Sequence, residues 1–384
     1  MRNKFYLSDL TILFVSLSSQ WGTTERRCLK DVVNHRNAGG SVILYCLKNS
    51  FLDQEASKQD IPRIYSSEPK GSWTDHLSRY FFLKNFLKKT PIDLVHVYHH
   101  DELSSLCLVL NYYSHAPLVY TYNRIVKKKN SLFESIVYPR IDSIITFFED
   151  GPEHARSIYN LGLRKTHYFG LGLENLKSSK EQLSTLKVTT FFERNLSLSD
   201  ELSFLLDQIS LVLQKFSPSE RENFTLYLQT DIDWRSHPLF DLAKRKILER
   251  HLENYVTFET ISISEISSMP QLRLSFSSQE FISDIDILSS LGQSTLLVPR
   301  VFSHAELLQK SRALSYFPLD PREFCQKFQT LLRDQSNPLK SQARAGSTWI
   351  DFHDQDHYEF QLTTLYEKLT LQRQRFTRIL NKKK

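Results

Sequence analysis

The stretch LRLSFSSQEFISDIDILSSLGQSTLLVPR, residues 272–300, restricts the fold more than any other. Leu272, Leu274 and Phe276 alternate with Arg273 and Ser275, the period of a strand whose successive side chains face opposite ways. Ile285, Leu288 and Leu291 then recur at helical spacing, and residues 295–298 form a short apolar run closed by Pro299. Strand, loop, helix, strand is the βαβ unit, whose crossover obliges its two strands to run parallel. Ligands of such sheets collect at the carboxyl edges of the strands. Here those edges are residues 277–281 and 299–304, so any chemistry is expected to lie between them.

The same grammar recurs in two blocks. The first has a strand over residues 10–15, a loop SLSSQWGTT at 16–24, a helix over 25–36 and a strand over 42–47; Gly39 and Gly40 suit the helix C-cap. An amphipathic helix at 76–89 sets Tyr80, Phe81, Leu83, Phe86 and Leu87 against a basic side. It reads as a helix packed on a sheet, with membrane contact as the alternative. After Pro91 come a strand at 94–98, a helix at 102–112 and strands at 118–122 and 143–147. A helix at 152–161 capped by Gly162 and a strand at 167–169 complete the block, and polar residues 178–184 read as a linker.

The second block restarts with a strand at 188–192 and a helix at 200–216 N-capped by Ser199. Strands at 225–229 and 255–258 flank a helix at 238–252, and a short helix at 264–269 precedes the opening stretch. Asp320, Pro321 and Glu323 begin a further helix as N-cap, N1 and N3, and helical segments close the chain at 361–380. The expected class is α/β, with two Rossmann-like, doubly wound parallel-sheet domains facing each other across a cleft. Their expected bounds are 1–175 and 176–345, with helices in 346–384 packing back across the junction.

A net charge of +6 and a pI near 8.9 suit an anionic substrate or a membrane surface. No dense basic stripe with interleaved aromatics appears, so no nucleic-acid partner is expected. Cys28, Cys46, Cys107 and Cys325 are far apart and form no C-x-x-C, which argues against disulfides or a zinc knuckle and for a reducing cytoplasm. No metal or cofactor is expected. No apolar run is long enough to span a bilayer. The opening MRNKFYLSDLTILFVSLSS imitates a signal peptide, but Asp9 interrupts it and no A-x-A site follows, so residues 11–15 read as the first strand.

Candidate site residues sit where strands end. Backbone N–H groups at Gly22 and Thr23, ahead of a helix, could hold a phosphate, although a plain connecting loop fits the same residues. Adjacent His99 and His100 point opposite ways and make a poor chelating pair. One of them, or His96, could lie in the cleft as a basic or hydrogen-bonding group; helix capping and simple exposure remain open. The run Lys127-Lys128-Lys129 reads as a solvated loop, with anionic lipid or substrate as the alternative.

The order of segments resembles the retaining glycosyltransferases of family 4, which have the GT-B architecture, over nearly the whole chain. WGTTER (21–26) is similar to that family's Gly-Gly-x-Glu-Arg loop, and IDLVHVYHH (92–100) to its D-I-V-H-x-H strand. PLVYTYN (117–123), RIDSIITFFED (140–150) and FGLGLE (169–174) resemble its following strands and turn. SSQEFISDIDILSSLG (277–292) aligns with its P-S-x-x-E-G-F-G segment, and YFPLDPREFCQKFQTLL (316–332) is similar to its last strand and helix. The resemblance implies a nucleotide-diphosphate sugar held chiefly by the second domain, with two Glu around sugar and nucleotide and an Arg and a Lys on the diphosphate.

Several of those implied groups are missing. Anchored on Phe281 and Gly292, the two Glu positions fall on Gln279 and Ile287, and Ile287 cannot accept a ribose hydroxyl. Glu280, with Asp284 and Asp286, offers a carboxylate nearby, but a one-residue shift swings a helical side chain by about 100°. Arg194 matches the diphosphate Arg, whereas Ser199 or Asp200 takes the Lys position and Arg300 could replace it. Val301-Phe302 stands where the family has Gly-Gly, and Asn123 replaces a His with a group that is no base. After Gly172 the only glycines are Gly292 and Gly346, few for a phosphate cradle.

The resemblance therefore implies a metal-independent transfer of sugar from a nucleotide-diphosphate donor to a polysaccharide or lipid-linked acceptor. The expected location is the cytoplasm or the inner face of its membrane. The alternative is a catalytically inactive GT-B protein serving as partner or scaffold of an active glycosyltransferase. A two-domain sugar-binding protein is a third reading and would need a secreted chain.

Overall fold

β1 (Thr11–Ser16, TILFVS) buries Ile12, Leu13, Phe14 and Val15 completely, although successive residues face opposite sides of the sheet. A strand apolar on both faces belongs in the middle of a parallel sheet covered by helices above and below. The computed structural model describes residues 10–66, 73–122, 137–173, 188–193, 198–266, 272–275, 295–299, 313–316, 320–333 and 351–382. The chain divides into two units, one of Met1–Gly170 with Asp356–Lys384 and the other of Leu171–Gln355.

In the first unit β1 is followed by α1 (Thr23–Asn37), β2 (Ser41–Leu47), α2 (Phe51–Lys58), β3 (Arg63–Ser66) and α3 (Trp73–Lys89). Then come β4 (Leu94–Val97), α4 (Leu103–Tyr113), β5 (Leu118–Tyr122), β6 (Ser143–Thr146), α5 (Gly151–Tyr159) and β7 (Thr166–Tyr168). The sheet order is β3-β2-β1-β4-β5-β6-β7 with every pairing parallel. The chain winds outward from β1 to β3 and then returns to wind the other way from β4. That reversal is a topological switch point, where the loops after β1 and β4 part and leave a crevice.

The second unit repeats the plan with β8 (Val188–Phe191), α6 (Ser199–Gln214), α7 (Pro218–Glu222), β9 (Leu226–Thr230), α8 (Phe240–Glu249) and β10 (Val256–Thr260). It continues through α9 (Ile263–Ile266), β11 (Leu272–Leu274), β12 (Thr295–Pro299), β13 (Ala313–Tyr316) and α10 (Pro321–Arg333). Its parallel order β10-β9-β8-β11-β12-β13 puts the switch between β8 and β11. Leu202, Leu205, Leu206, Ile209 and Leu213 line one side of α6 at helical spacing and pack into this unit's core.

The last helix, α11 (Gln355–Lys382), belongs to the first unit from Asp356 onward. Tyr358, Leu362, Leu365, Tyr366 and Leu369 form its buried stripe. Within the second unit the outgoing and returning chains meet: Leu171 N–H donates to His353 Nδ1 at 3.1 Å and Leu173 N–H to the His353 carbonyl at 2.7 Å.

Several local expectations need correction. α2 and β3 fall in a stretch that the sequence pattern left without elements, because a four-residue edge strand, RIYS, is too short to show a period. Asn160, in the left-handed region at φ 51, ends α5 in place of Gly162, whose φ is −70. Ser199 is the first residue of α6 and not its N-cap, which is Leu198 without a side-chain bond. Arg273, which alternates with Leu272 and Leu274, is as buried as they are at 1% exposed. In a sheet covered on both sides there is no outward face, and Arg273 Nη2 donates to Gln229 Oε1 at 3.3 Å with its guanidinium 5.9 Å from the Phe191 ring.

Candidate functional site

The crevice of the first unit is built by residues 17–22 after β1 and by residues 98–100 after β4. Gly22 is the N-cap of α1, and its N–H donates to Glu25 Oε2 at 2.9 Å. This is one half of a capping box, in which the third helical residue turns back on the cap. The other oxygen, Oε1, accepts from His99 Nε2 at 2.8 Å. One carboxylate thus clasps both loops of the switch point. Glu25 is 3% exposed. Burial pushes its carboxyl upward, but the His99 hydrogen bond and charge, with bonds from Ser18 and Gly22, outweigh burial and hold it below its ordinary value. It is an anion at neutral pH, and it fixes the imidazole with a proton on Nε2.

The two neighbouring histidines part where the chain leaves β4: His99 is still extended, and His100 opens a 3-10 turn. His99 turns to α1, whereas His100 Nδ1 is hydrogen-bonded to the Tyr159 hydroxyl at 2.9 Å and Nε2 lies 3.4 Å from that of Tyr138. His100 therefore sits in an aromatic nest with Tyr138 and Tyr159, while His99 is the half-buried one paired with a charge. Tyr122, the last residue of β5, bonds His154 Nδ1 through its hydroxyl at 2.7 Å.

His96 is no crevice residue. It is fully buried in β4, with Nε2 bonded to Thr121 Oγ1 at 2.8 Å and Nδ1 to the Tyr366 hydroxyl at 2.6 Å. Burial lowers its pKa to about 3, so it stays neutral. Behind it Asp31 Oδ2 accepts from the hydroxyls of Tyr98 at 2.6 Å and Tyr358 at 2.9 Å. Burial pushes this carboxyl up to about 6, against the opposing pull of Arg27, Tyr98 and Tyr358. The Arg27 guanidinium lies 4.1 Å from the Phe147 ring and 5.2 Å from that of Tyr358. The network fastens α11 to α1 and β4 beneath the crevice.

Gly22 and Thr23 stand at the N-terminus of α1, where a phosphate was expected. The Gly22 N–H already serves Glu25, and Thr23 Oγ1 accepts from Arg26 Nη2 at 3.2 Å. An incoming phosphate at this end meets a buried carboxylate within the first turn, which repels it. Glu25 was not singled out as a site residue, although Gly22-x-x-Glu25 is the signature of a helix start whose acid turns back. Its second bond, to His99, spans 74 residues and leaves no local pattern.

In the second unit the loop after β8 is held by His237, whose Nε2 bonds the Glu193 carbonyl at 3.1 Å and whose Nδ1 accepts from Leu239 N–H at 3.1 Å. Ser275, just after β11, receives the Tyr316 hydroxyl on its carbonyl at 3.0 Å. Arg194, Glu280 and Arg300 lie outside the described residues, as do Asn123, Lys127–Lys129, Gln279, Ile287, Val301 and Phe302. Among the described residues no group of three or more His, Cys, Asp or Glu could hold a metal ion.

No protein-family model and no curated protein matches the sequence. Solved structures do. A glycosyltransferase from Rickettsia africae is similar with a TM-score of 0.70 at 16% identity, over 94% of this chain and 98% of that one. HepE of Anabaena, in complex with UDP and glucose, has a TM-score of 0.69 at 13% identity, over 94% and 100%. The pneumococcal O-GlcNAc transferase GtfA, in complex with UDP and GlcNAc, has a TM-score of 0.68 at 8% identity, over 94% and 99%. With two parallel Rossmann-type sheets of seven and six strands, this chain has the GT-B fold of glycosyltransferases.

Proposed function

We propose that the protein transfers a sugar from a nucleotide-diphosphate donor to a polysaccharide or lipid-linked acceptor, as a metal-independent, retaining glycosyltransferase of the family 4 type. The observation that carries the reading is the Glu25–His99 pair at 2.8 Å, set at the switch point of a sheet whose similar structures include proteins in complex with UDP and a sugar. A buried anion bonded to a half-exposed imidazole fixes the ring and stabilises its protonated form, which suits a group that orients an acceptor hydroxyl or faces developing diphosphate charge. The first unit serves the acceptor and the second the nucleotide. Arg194 and Arg300 hold the diphosphate, Glu280 the sugar or ribose, and His99, with His100 behind it, positions the acceptor. The protein works in the cytoplasm, peripheral to the inner face of the membrane.

Calorimetric titration with a panel of sugar nucleotides tests the proposal. Binding of at least one donor, lost in Arg194→Ala with Arg300→Ala and followed by turnover, is the expected result. Absence of heat with every nucleotide would overturn it.

A second reading rests on the substitutions themselves: Gln279, Ile287, Asn123 and Val301 each replace a group that the family resemblance implies. On that reading the protein is an inactive partner of an active glycosyltransferase. Copurification of a second transferase, undisturbed by Arg194→Ala with Arg300→Ala, would favour it.

A further inference from the structure

The amino-terminal edge of the first unit's sheet, opposite to the crevice, gathers charge of one sign. Arg140 and Asp142 lead into β6 and Lys165 leads into β7, while α11 brings Arg373 to the same corner. Arg140 donates through Nη1 to Asp142 Oδ2 and through Nη2 to the Ala116 carbonyl at 2.6 Å. Lys165 Nζ donates to the carbonyls of Pro139 at 3.0 Å and Ile141 at 2.7 Å, on either side of Arg140 in the chain. Arg373 Nη2 stands 3.8 Å from Asp142 Oδ1.

One carboxylate serves all of these cations. Among the described residues Asp142 is the only carboxylate acting on Arg140 and on Lys165, and Arg373 acts on both as a further positive charge. Burial, with Arg140 and Arg373 adding to it, holds Lys165 below its usual value against the pull of Asp142. Cys107 lies close by but is no balancing anion, because burial pushes its thiol up to about 12. Thr166 is 7% exposed, and its Oγ1 is buried without a hydrogen-bond partner. Its register with Ile144 puts it on the face to which Asp142, two residues earlier, returns. Half-buried cations that repel one another and a buried hydroxyl lacking an acceptor together fit a bound anion.

We propose that this corner binds a free oxyanion of the phosphate class between Lys165 and Arg373. An ammonium has three N–H groups and Lys165 spends two on carbonyls, which leaves one for a ligand. A guanidinium fork matches two oxygens of a tetrahedral oxyanion. The side chains are recessed, Arg140 at 6% exposure, Asp142 at 23% and Arg373 at 29%, which suits a small anion better than a lipid headgroup or an acidic protein face. Bound there, the anion ties the later half of α11 to the starts of β6 and β7. The site lies at the edge away from the Glu25–His99 crevice, and the inference stands apart from sugar transfer.

The test is calorimetric titration of the full chain with phosphate, against chloride at matched ionic strength, together with amide exchange along α11. Saturable binding of phosphate alone is expected, with exchange slowed over residues 366–374. Lys165→Gln and, separately, Arg373→Gln should each weaken binding about tenfold, the worth of one charge-assisted contact. Arg373→Gln leaves the Lys165 carbonyl bonds untouched, so its result is free of any folding defect in the lysine variant. Arg194→Ala with Arg300→Ala, which removes the proposed diphosphate ligands, and Lys244→Gln with Arg245→Gln on α8 should both retain the site. Heat no different from chloride, full affinity in both single variants, loss in either double variant, or displacement of phosphate by phosphatidylglycerol vesicles would each overturn the assignment. Sugar-nucleotide binding without phosphate binding sinks only this site, and phosphate binding without any nucleotide binding sinks only the transferase.

Discussion

Glu25 and Asp31 both lie on α1, and both are buried, yet their protons behave oppositely. Glu25 meets an imidazole and stays ionised, whereas Asp31 meets mostly neutral hydroxyls and is pushed up to about 6. Replacing Glu25 with Gln keeps an acceptor for the Gly22 N–H but removes the charge facing His99. We expect turnover to fall about a hundredfold, with the acid side of the pH–rate profile displaced and the fold retained. Initial rates across the neutral range check this. Asp31 and His96 oppose each other in stability. Because the folded-state pKa of Asp31 is raised from 3.8 to about 6, its contribution is present at low pH and is lost as pH rises through about 6. His96 is lowered from 6.5 to about 3, so the folded state loses stability as pH falls below 6.5. Between pH 4 and 6 the two slopes offset each other. Asp31→Asn removes one of them, and the unfolding free energy from urea denaturation should then drop on acidification by up to about 1.4 kcal/mol per pH unit more steeply than in the wild type.

Helix ends in this chain are set by single residues, and some of these were legible while others were not. Asp320 caps α10 as its type and spacing predict, accepting from Arg322 N–H at 2.9 Å and Glu323 N–H at 3.2 Å. Gly39, at φ 90, follows α1 in the left-handed region as a glycine should. At α5 the nearby Gly162 is the better residue on paper, but Asn160 takes the left-handed position because the chain turns before the glycine. Asn160→Val should cost about 1–2 kcal/mol, and Asn160→Gly should cost nothing, by chemical denaturation. Gly40 is needed for a different reason. A Cβ there would lie 2.1 Å from His35 Nε2, whose bond to the Leu10 carbonyl at 3.1 Å holds α1 to the start of β1. Gly40→Ala should therefore lower stability by about 1–3 kcal/mol, and a thermal melt would read it.

At the scale of the whole molecule the first unit is completed by residues far away in sequence. Tyr358 and Tyr366 reach Asp31 and His96 across 327 and 270 positions. Removing residues 356–384 would strand both buried polar groups and uncover five buried side chains of α11. At about 1.5–3 kcal/mol for each side chain, that loss matches a typical domain's entire stability. The truncated protein should be insoluble or lack a cooperative melt, whereas a protein cut only after residue 374 should keep one.

By itself the sequence determined the class and, apart from α2 and β3, most of the described elements. Periods of two and of 3.6, broken by Pro, Gly and Asp at the turns, are local signals, and a strand-helix alternation admits little besides parallel α/β sheets. The tertiary structure alone decided which polar residues meet. His96, His99 and His100 look equivalent in the sequence, yet one is a neutral core group, one is paired with a buried carboxylate and one is lodged among tyrosines. Arg273, a charged residue within a strand, is likewise buried only because the sheet is covered on both faces. Partners such as Glu25 and Asp31 are chosen by the order of strands in the sheet and by the return of α11. That information lies in contacts between distant residues, which no local period records.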